Sequence, residues 1–291
     1  MSLWNAFRIV SLLLALAAAS VAHAEEGEEG MIGFGQERFQ LNLGYYRSNF
    51  DTELSAGTKR GPGILPGRID LENDLGLDSS LGVGRINGHW RFSDRHRLYF
   101  GYYKLHREKV RSLRNDIGPI IIPALGINDT ILASSNVSST SSFEVFHLGY
   151  GYSFYKSESL ELAAKLGLGL GQLKIDVSGT LNTLNNGTLI SAAAGASVLV
   201  PLPTVGVTLD WAASERWVLK GNAGYFQVRT SGWNAGVADA GVAAEYRLFR
   251  NFGIGAGYSL LWIRGDIDRP NYFGELGWKT GGLQLYGTLM F

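Results

Sequence analysis

The 291-residue chain contains no cysteine and has a low charged fraction, 18%. Without cysteine it has neither a disulfide framework nor thiol chemistry. After residue 21 no segment approaches the ~18 consecutive apolar residues of a membrane-spanning helix. Basic and acidic residues are equal in number, 26 each, so the chain lacks the strong net charge that attracts nucleic acid. What it has in abundance is glycine and aromatic residues.

The N-terminus has the pattern of a secretory signal peptide. Arg8 precedes the apolar stretch 9–21, and Ala22-His23-Ala24 supplies a small-x-small cleavage pattern. The alternative is a membrane anchor, but a spanning helix needs ~20 apolar residues and this stretch has about a dozen. We therefore expect residues 1–24 to be removed on export, 25–35 to form an acidic, disordered periplasmic tail, and 36–291 to form the folded domain.

Period-two alternation of apolar and polar residues runs through the whole of 36–291, which is typical of half-buried β-strands. Four aromatic strand ends are each followed by a short polar turn, and longer connections lie between them. The short turns fall near 93–96, 156–158, 213–215 and 249–251, and the longer connections near 51–81, 110–140, 182–187, 230–235 and 265–271. Transmembrane barrels have short periplasmic turns, long outer loops and aromatic girdles.

This spacing predicts an all-β fold, a transmembrane antiparallel up-and-down β-barrel of about ten strands with both termini in the periplasm. The predicted strands are 37–50, 82–92, 97–109, 141–155, 159–181, 188–212, 216–229, 236–248, 252–264 and 272–291. Eight or twelve strands also fit, because 69–77 is able to pair as an extra strand and 188–212 to break at Pro201 and Pro203.

The last strand carries the most specific pattern. Leu283, Leu285, Leu289 and the terminal Phe291 share one face. A strand that ends this way resembles the C-terminal insertion signature of Gram-negative outer-membrane β-barrels. The resemblance implies an outer-membrane location, contact with outer-membrane lipid and lipopolysaccharide, and biogenesis through the barrel assembly machinery. It indicates neither an oligomeric state nor a subfamily from which catalytic residues carry over.

Assigning the apolar faces to lipid turns a set of polar side chains toward the lumen. It consists of His89, Arg91, His147, Glu161, Lys165, Asp210, Lys220, Asp239, Glu245 and Arg247. Charges of both signs in a small barrel favour a paired, salt-bridged interior, since an unpaired buried charge is costly. A hydrated conduit lined by these charges is the second interpretation, and a catalytic constellation is the third.

Three further features leave alternatives open. The inward glycines (Gly167, Gly169, Gly171, Gly253, Gly255, Gly257) either relieve crowding or leave room for a solute. The acidic segment 70–78 either packs over the barrel rim or holds Ca²⁺, although its spacing is not that of an EF-hand. The apolar segment 117–123 is either a plug or a contact surface.

No Gly-x-Ser-x-Gly elbow and no serine–histidine pair on a clear strand face are present. The expectation is therefore a barrel that is not an enzyme and has no cofactor or metal. Its function is structural or ligand-receiving through the outer loops, and the alternative is a narrow pore for small solutes.

Overall fold

The computed structural model describes residues 32–58, 67–73, 77–112, 117–122, 127–131, 136–182, 189–270 and 272–291. The predicted signal peptide and residues 25–31 of the tail lie outside this part. The described residues form strands, and no helix among them is long and apolar enough to cross a membrane. The strands are β1 (Phe39–Thr58), β2 (Gly67–Asp70), β3 (Ser80–Ser93), β4 (His96–Ser112), β5 (Ile117–Ile122), β6 (Ile127–Ile131), β7 (Asn136–Lys156), β8 (Leu160–Asn182), β9 (Leu189–Ala212), β10 (Trp217–Thr230), β11 (Trp233–Phe249), β12 (Phe252–Asp268) and β13 (Tyr272–Met290).

Ten of these strands, counted over the described residues, close into one antiparallel up-and-down barrel. Their order around the wall is β1-β3-β4-β7-β8-β9-β10-β11-β12-β13, and β13 pairs with β1 from Gln40–Met290 to Thr58–Tyr272. The terminal residue takes part in this closure, because the Phe291 N–H donates to Phe39 O at 2.9 Å. The predicted fold class and strand number are confirmed.

The strand boundaries agree with the alternation except where strands run further outward than predicted. The predicted long connection at 230–235 is wrong, since β10 and β11 are joined by Ser231 and Gly232 alone. Gly232 has φ +116°, which favours glycine in so tight a turn. The break proposed at Pro201 and Pro203 does not occur, and β9 is continuous.

Two small additions lie at the loop end, opposite the four short turns. β2 pairs with the upper part of β1, from Glu53–Asp70 to Ala56–Gly67, so part of 69–77 does act as an extra short strand. β5 and β6 form a separate two-stranded sheet that includes most of the apolar segment 117–123. We call the other end, where the short turns and Phe291 lie, the turn end.

The outside of the barrel is apolar. Leu166, Val205, Val242, Leu283 and Leu285 each leave more than half of their surface exposed on the outer face. Exposed aromatic residues lie near the turn end: Trp90, Phe92, Tyr152, Phe154, Trp211, Trp217 and Phe249. An apolar band bordered by aromatic residues is the surface that a transmembrane barrel presents to lipid, because a water-facing surface would not leave so many large apolar side chains uncovered.

Candidate functional site

Near the turn end, a network of buried ion pairs crosses the lumen. Arg91 donates to both carboxylate oxygens of Glu161, at 2.9 and 2.8 Å, and the Glu161 carboxylate also accepts from Ser153. Arg97, 1% exposed, bridges Glu161 at 3.3 Å and Asp210 at 2.7 Å. Bidentate arginine–carboxylate geometry is among the stronger charge-assisted contacts, so this part of the lumen is firmly occupied.

A second group of charges continues the same level across the barrel. The Lys220 ammonium lies 3.0 Å from Glu245 and donates to Gln40 Oε1 at 2.8 Å. Glu245 also accepts from Tyr286 at 2.9 Å. We call Gln40, His89, Arg91, Arg97, Glu161, Asp210, Lys220 and Glu245 together the charged layer. These residues come from seven strands and meet at one level of the lumen.

The chain before β1 lies beneath this layer. Arg247 Nη1 donates to Ile32 O at 2.6 Å, and Lys156 donates to Gly35 O at 3.2 Å. Glu37, 7% exposed, lies 3.6 Å from Arg91 and 3.8 Å from His89. Residues 32–35, which the sequence assigned to the tail, therefore contact the barrel opening.

Toward the loop end the lumen is filled by apolar side chains instead. Trp278, 2% exposed, stacks obliquely on Phe143 with ring centroids 4.3 Å apart and meets Phe50 edge-on at 6.3 Å. We call this buried cluster the apolar layer; it consists of Tyr46, Phe50, Val83, Leu105, Phe143, Val145, Leu173, Leu202, Val237, Ile263 and Trp278. Its members come from the inward positions of the upper strand halves.

The described residues of the acidic segment, 70–73, 77 and 78, pack over the apolar layer. Arg107, 3% exposed, lies 4.8 Å above the Phe50 ring and donates to the Glu72 carboxylate. Glu72 also accepts from the Thr52 N–H at 2.8 Å, and Leu71 is fully buried. Asp70 Oδ1 accepts from the Glu72 and Asn73 N–H groups. These carboxylates serve the barrel rim, which is the first of the two interpretations given above.

Between the two layers lies a cavity of about 300 Å³. The charged layer forms its floor, and Tyr46, Val145, Leu202 and Val237 of the apolar layer form part of its roof. Arg85, His147, Lys165 and Asp239 line its wall. Asp239 is engaged by Asn222, whose Nδ2 donates at 2.7 Å.

The inward glycines leave room for neighbouring side chains. A Cβ at Gly167 would lie 2.7 Å from Thr204 Oγ1 and 2.8 Å from His147 Nε2, and one at Gly171 would lie 2.9 Å from Phe143. At these positions relief of crowding explains the glycines, because any side chain would displace a residue that lines the cavity or fills the apolar layer.

The predicted lumen residues fall into two groups. His89, Arg91, Glu161, Asp210, Lys220 and Glu245 lie in the charged layer, with Arg247 below it, while His147, Lys165 and Asp239 lie on the cavity wall. Sequence reasoning missed Arg97 because both faces of β4 carry tyrosines, and it missed Arg85 because the predicted alternation was read only from residue 86. On β13, Leu283 and Leu285 are exposed and Leu289 is half-buried, and Phe291, directly after the strand, is exposed. Their role in insertion stays a prediction.

Within the described residues, no group of three or more histidine, aspartate or glutamate side chains is arranged to hold a metal ion. No protein-family model and no curated protein sequence matches the chain.

Among solved structures, the chain is similar to the outer-membrane protease OmpT of Escherichia coli, with a TM-score of 0.54, 10% identity, and 87% of this chain and 97% of that chain covered. It also aligns with the translocator domain of the autotransporter NalP of Neisseria meningitidis (TM-score 0.42, 12% identity, 96% of each chain). A third alignment is with the Pseudomonas putida toluene transporter TodX (TM-score 0.35, 10% identity, 85% and 89% covered). At 10% identity the similarity to OmpT concerns the fold alone, which is that of an outer-membrane β-barrel.

Proposed function

We propose that this protein is an integral outer-membrane barrel that is closed to free diffusion and receives a small ligand inside its lumen. The observation that carries the proposal is the arrangement of two filled layers with a cavity between them. Small barrels are filled by their own side chains or hold one small ligand, whereas 16 or more strands leave an open channel. In this barrel two levels of the lumen are filled by side chains, and the level between them has room for a small ligand.

The apolar outer face supports the membrane location. The turn end then faces the periplasm and the loop end faces outward, with outer-membrane lipid and lipopolysaccharide as surroundings. Export through a cleaved signal peptide at 1–24, and delivery by the barrel assembly machinery through the Phe291 strand, belong to the same proposal.

The competing function is a narrow diffusion channel. Two features weigh against it: the Arg91–Glu161–Arg97–Asp210 network at the floor, and the stacked Trp278 and Phe143 at the roof. Each would have to move for ions to pass, and moving a paired buried charge out of its pair is costly.

Planar-bilayer recording tests this directly. Wild-type protein, with insertion verified by flotation of the same preparation with lipid vesicles, is expected to give no sustained ohmic steps. A variant with the roof alone opened, Trp278→Ala, is expected to remain silent because the floor still closes the lumen. Sustained steps from the wild type would overturn the closed-barrel proposal.

We further propose a binding rather than a catalytic role. In the described residues His147 forms no hydrogen bond to a serine, and His89 faces Glu37 rather than a hydroxyl nucleophile. Purified protein is expected to leave labelled peptides, phospholipid and lipopolysaccharide intact. Time-dependent cleavage of any of them that is lost on heat unfolding would contradict the proposal.

A further inference from the structure

Two cations of the cavity, Arg85 and Lys165, have no carboxylate in direct contact, although Asp239 on the same wall attracts Lys165 from a greater distance. Over the described residues, the ion pairs of the interior engage Arg91, Arg97, Arg107 and Lys220, and neither Arg85 nor Lys165 has a carboxylate at ion-pair distance. Both face the cavity. A half-buried cation with no carboxylate in contact favours an anion beside it.

These cations are held in place by aromatic rings and neutral polar groups. The Arg85 guanidinium lies 5.7 Å from the Tyr46 ring and 5.9 Å from the Tyr103 ring, and donates to Gln284 Oε1 at 3.3 Å. The Lys165 ammonium lies 5.1 Å from the Tyr99 ring. These contacts fix the two side chains and leave their charge available to a ligand.

The rest of the cavity suits an aromatic or apolar body. Leu202 and Val237 form its roof, and Tyr99, Phe100 and Tyr103 form much of one wall. Its volume of about 300 Å³ is at the lower end of the range for small-molecule sites, so the ligand is small. Arginine binds a carboxylate with two parallel hydrogen bonds, and aromatic walls favour an aromatic ring.

In the barrel wall beside this cavity, β9 and β10 separate, and we call the gap between them the split. In the described residues β9 pairs with β10 only from Ala212–Val218 to Val205–Tyr225. Beyond this point β9 still pairs with β8, up to Leu189–Asn182, and β10 still pairs with β11, up to Thr230–Trp233. Thr204 and Leu202, at the edge of the split, also line the cavity.

The sequence itself keeps the split open. Pro201 and Pro203 have no N–H, yet both keep their positions opposite β8, at Leu170 and Leu168. The Ala212 N–H donates to Ser159 O on the β8 side, so by alternation the missing donors at 201 and 203 fall on the β10 side, where pairing stops. Proline in a sheet is confined to edges and bulges for this reason, so β9 is an edge strand over this stretch.

The split lies at the outer side of the membrane band. About eight residues of β10 separate the aromatic Trp217 at the turn end from exposed Tyr225, which is on the order of 26 Å along a strand. For strands tilted ~40°, this corresponds to a height of ~20 Å, so the pairing ends in the outer part of an apolar band ~25 Å tall. The opening thus faces the outer lipid boundary rather than the loop end.

We propose, building on the closed ligand-receiving barrel above, that the cavity binds a small aromatic carboxylate whose carboxylate group meets Arg85 and Lys165. The ligand enters and leaves through the split between β9 and β10, because the floor and the roof are both filled.

The binding step is tested by calorimetric titration of the full-length protein in detergent micelles with benzoate, and with neutral benzamide as the matched probe. Benzoate is expected to bind at least tenfold more tightly than benzamide, and Arg85→Gln or Lys165→Gln to weaken benzoate at least tenfold. Lys174→Gln, an exposed position on the same strand as Lys165, is the control and should bind as the wild type does.

Equal affinity for benzoate and benzamide, no benzoate binding at millimolar concentration, or unchanged binding in both cavity variants would overturn the ligand assignment. These outcomes can be distinguished from a failure of the closed-barrel proposal. A barrel that binds no benzoate and conducts no ions contradicts the ligand assignment only.

The entry route is tested by cross-linking across the split. Because the chain has no native cysteine, only the introduced thiols react with the cross-linker. Pro203→Cys with Gln227→Cys places two thiols on opposite edges, and a bismaleimide of ~10 Å span joins them without requiring disulfide geometry. Stopped-flow fluorescence is expected to show benzoate association and dissociation both slowed at least tenfold, with the equilibrium constant unchanged. Val207→Cys with Ala223→Cys, which are already paired, is the control. Unchanged rates in the cross-linked split would overturn the route.

Discussion

The charged layer and the apolar layer fill the same lumen by opposite chemistry. In the charged layer, Arg91, Arg97 and Glu161 are almost fully buried and depend on one another for charge balance. In the apolar layer, Trp278 and Phe143 are equally buried but depend on shape. The stability of the charged layer should therefore be sensitive to the loss of a single ion-pair partner, and that of the apolar layer to the loss of side-chain volume.

The contrast also explains the position of the cavity. At the height of Arg85 and Lys165 the lumen is filled by neither chemistry, because no carboxylate lies at ion-pair distance from these cations and the apolar side chains lie above them.

The largest effect is expected for Glu161→Gln. It removes the charge that Arg91 and Arg97 share, and breaking a buried ion pair from one side costs about 3–5 kcal/mol. Urea unfolding in detergent micelles measures the change. Glu158→Gln, on the exposed turn beside β8, should unfold like the wild type. Equal stability of the two variants would mean that the charged layer is not coupled as described.

Trp278→Ala is expected to lower the free energy of unfolding by about 3 kcal/mol, which is in the lower part of the range for truncation of a large aromatic side chain. The ring packs on Phe143 and Phe50, so its removal leaves a void in the apolar layer. The same unfolding assay applies, and Trp262→Ala on the outer face of β12 is the control. A loss no greater than that of the control would contradict the role of packing here.

A smaller effect, about 1–3 kcal/mol, is expected for Arg107→Met, because the buried Glu72 carboxylate loses its charged partner but keeps its bonds from Thr52. Lys109→Met breaks the exposed pair with Asp78 and should cost under ~1 kcal/mol. If Glu72→Gln in addition to Arg107→Met restores no stability, the two residues are not coupled.

The smallest effect concerns the turn end. The hydrogen bond from Lys156 lowers the pKa of the Asp94 carboxyl in the β3–β4 turn. A carboxyl with a lowered pKa adds stability above its ordinary pKa, and this stability is lost as the pH falls through the lowered value. Lys156→Gln should raise the pKa of Asp94 toward its ordinary value, as followed by carbon-13 NMR titration. Since Asp94 is largely exposed, little change in stability is expected. An Asp94 titration identical in both proteins would rule out this contact.

The alternation of the sequence was sufficient to predict the barrel, a count of about ten strands with eight or twelve left open, and the inward position of Glu161, Asp210 and Glu245. It was sufficient because side chains on a strand alternate with period two whatever the neighbouring strands do. It was insufficient for the apolar layer, whose members Phe50, Leu105 and Phe143 are apolar and face inward. Hydrophobicity alone assigns such residues to lipid, although Phe50 shares its strand face with the inward Gln40 and Phe143 shares its face with the inward His147.

The same limit applies to the split. Pro201 and Pro203 suggested a break in the strand, yet β9 runs through them, and what ends is its pairing with β10. A proline affects only the hydrogen-bonding side that its N–H would have faced, and the sequence does not say which neighbour lies on that side.

By itself the sequence determined the class of fold and the lipid-facing surface, because both follow from local alternation and turn chemistry. Only the tertiary structure decided which charges pair, which cations are left beside a cavity, and where the wall opens. Those features depend on the register between strands that are far apart in the chain, as with Arg97 and Asp210 or Gln40 and Glu245. Register is a property of the closed barrel and not of any one strand.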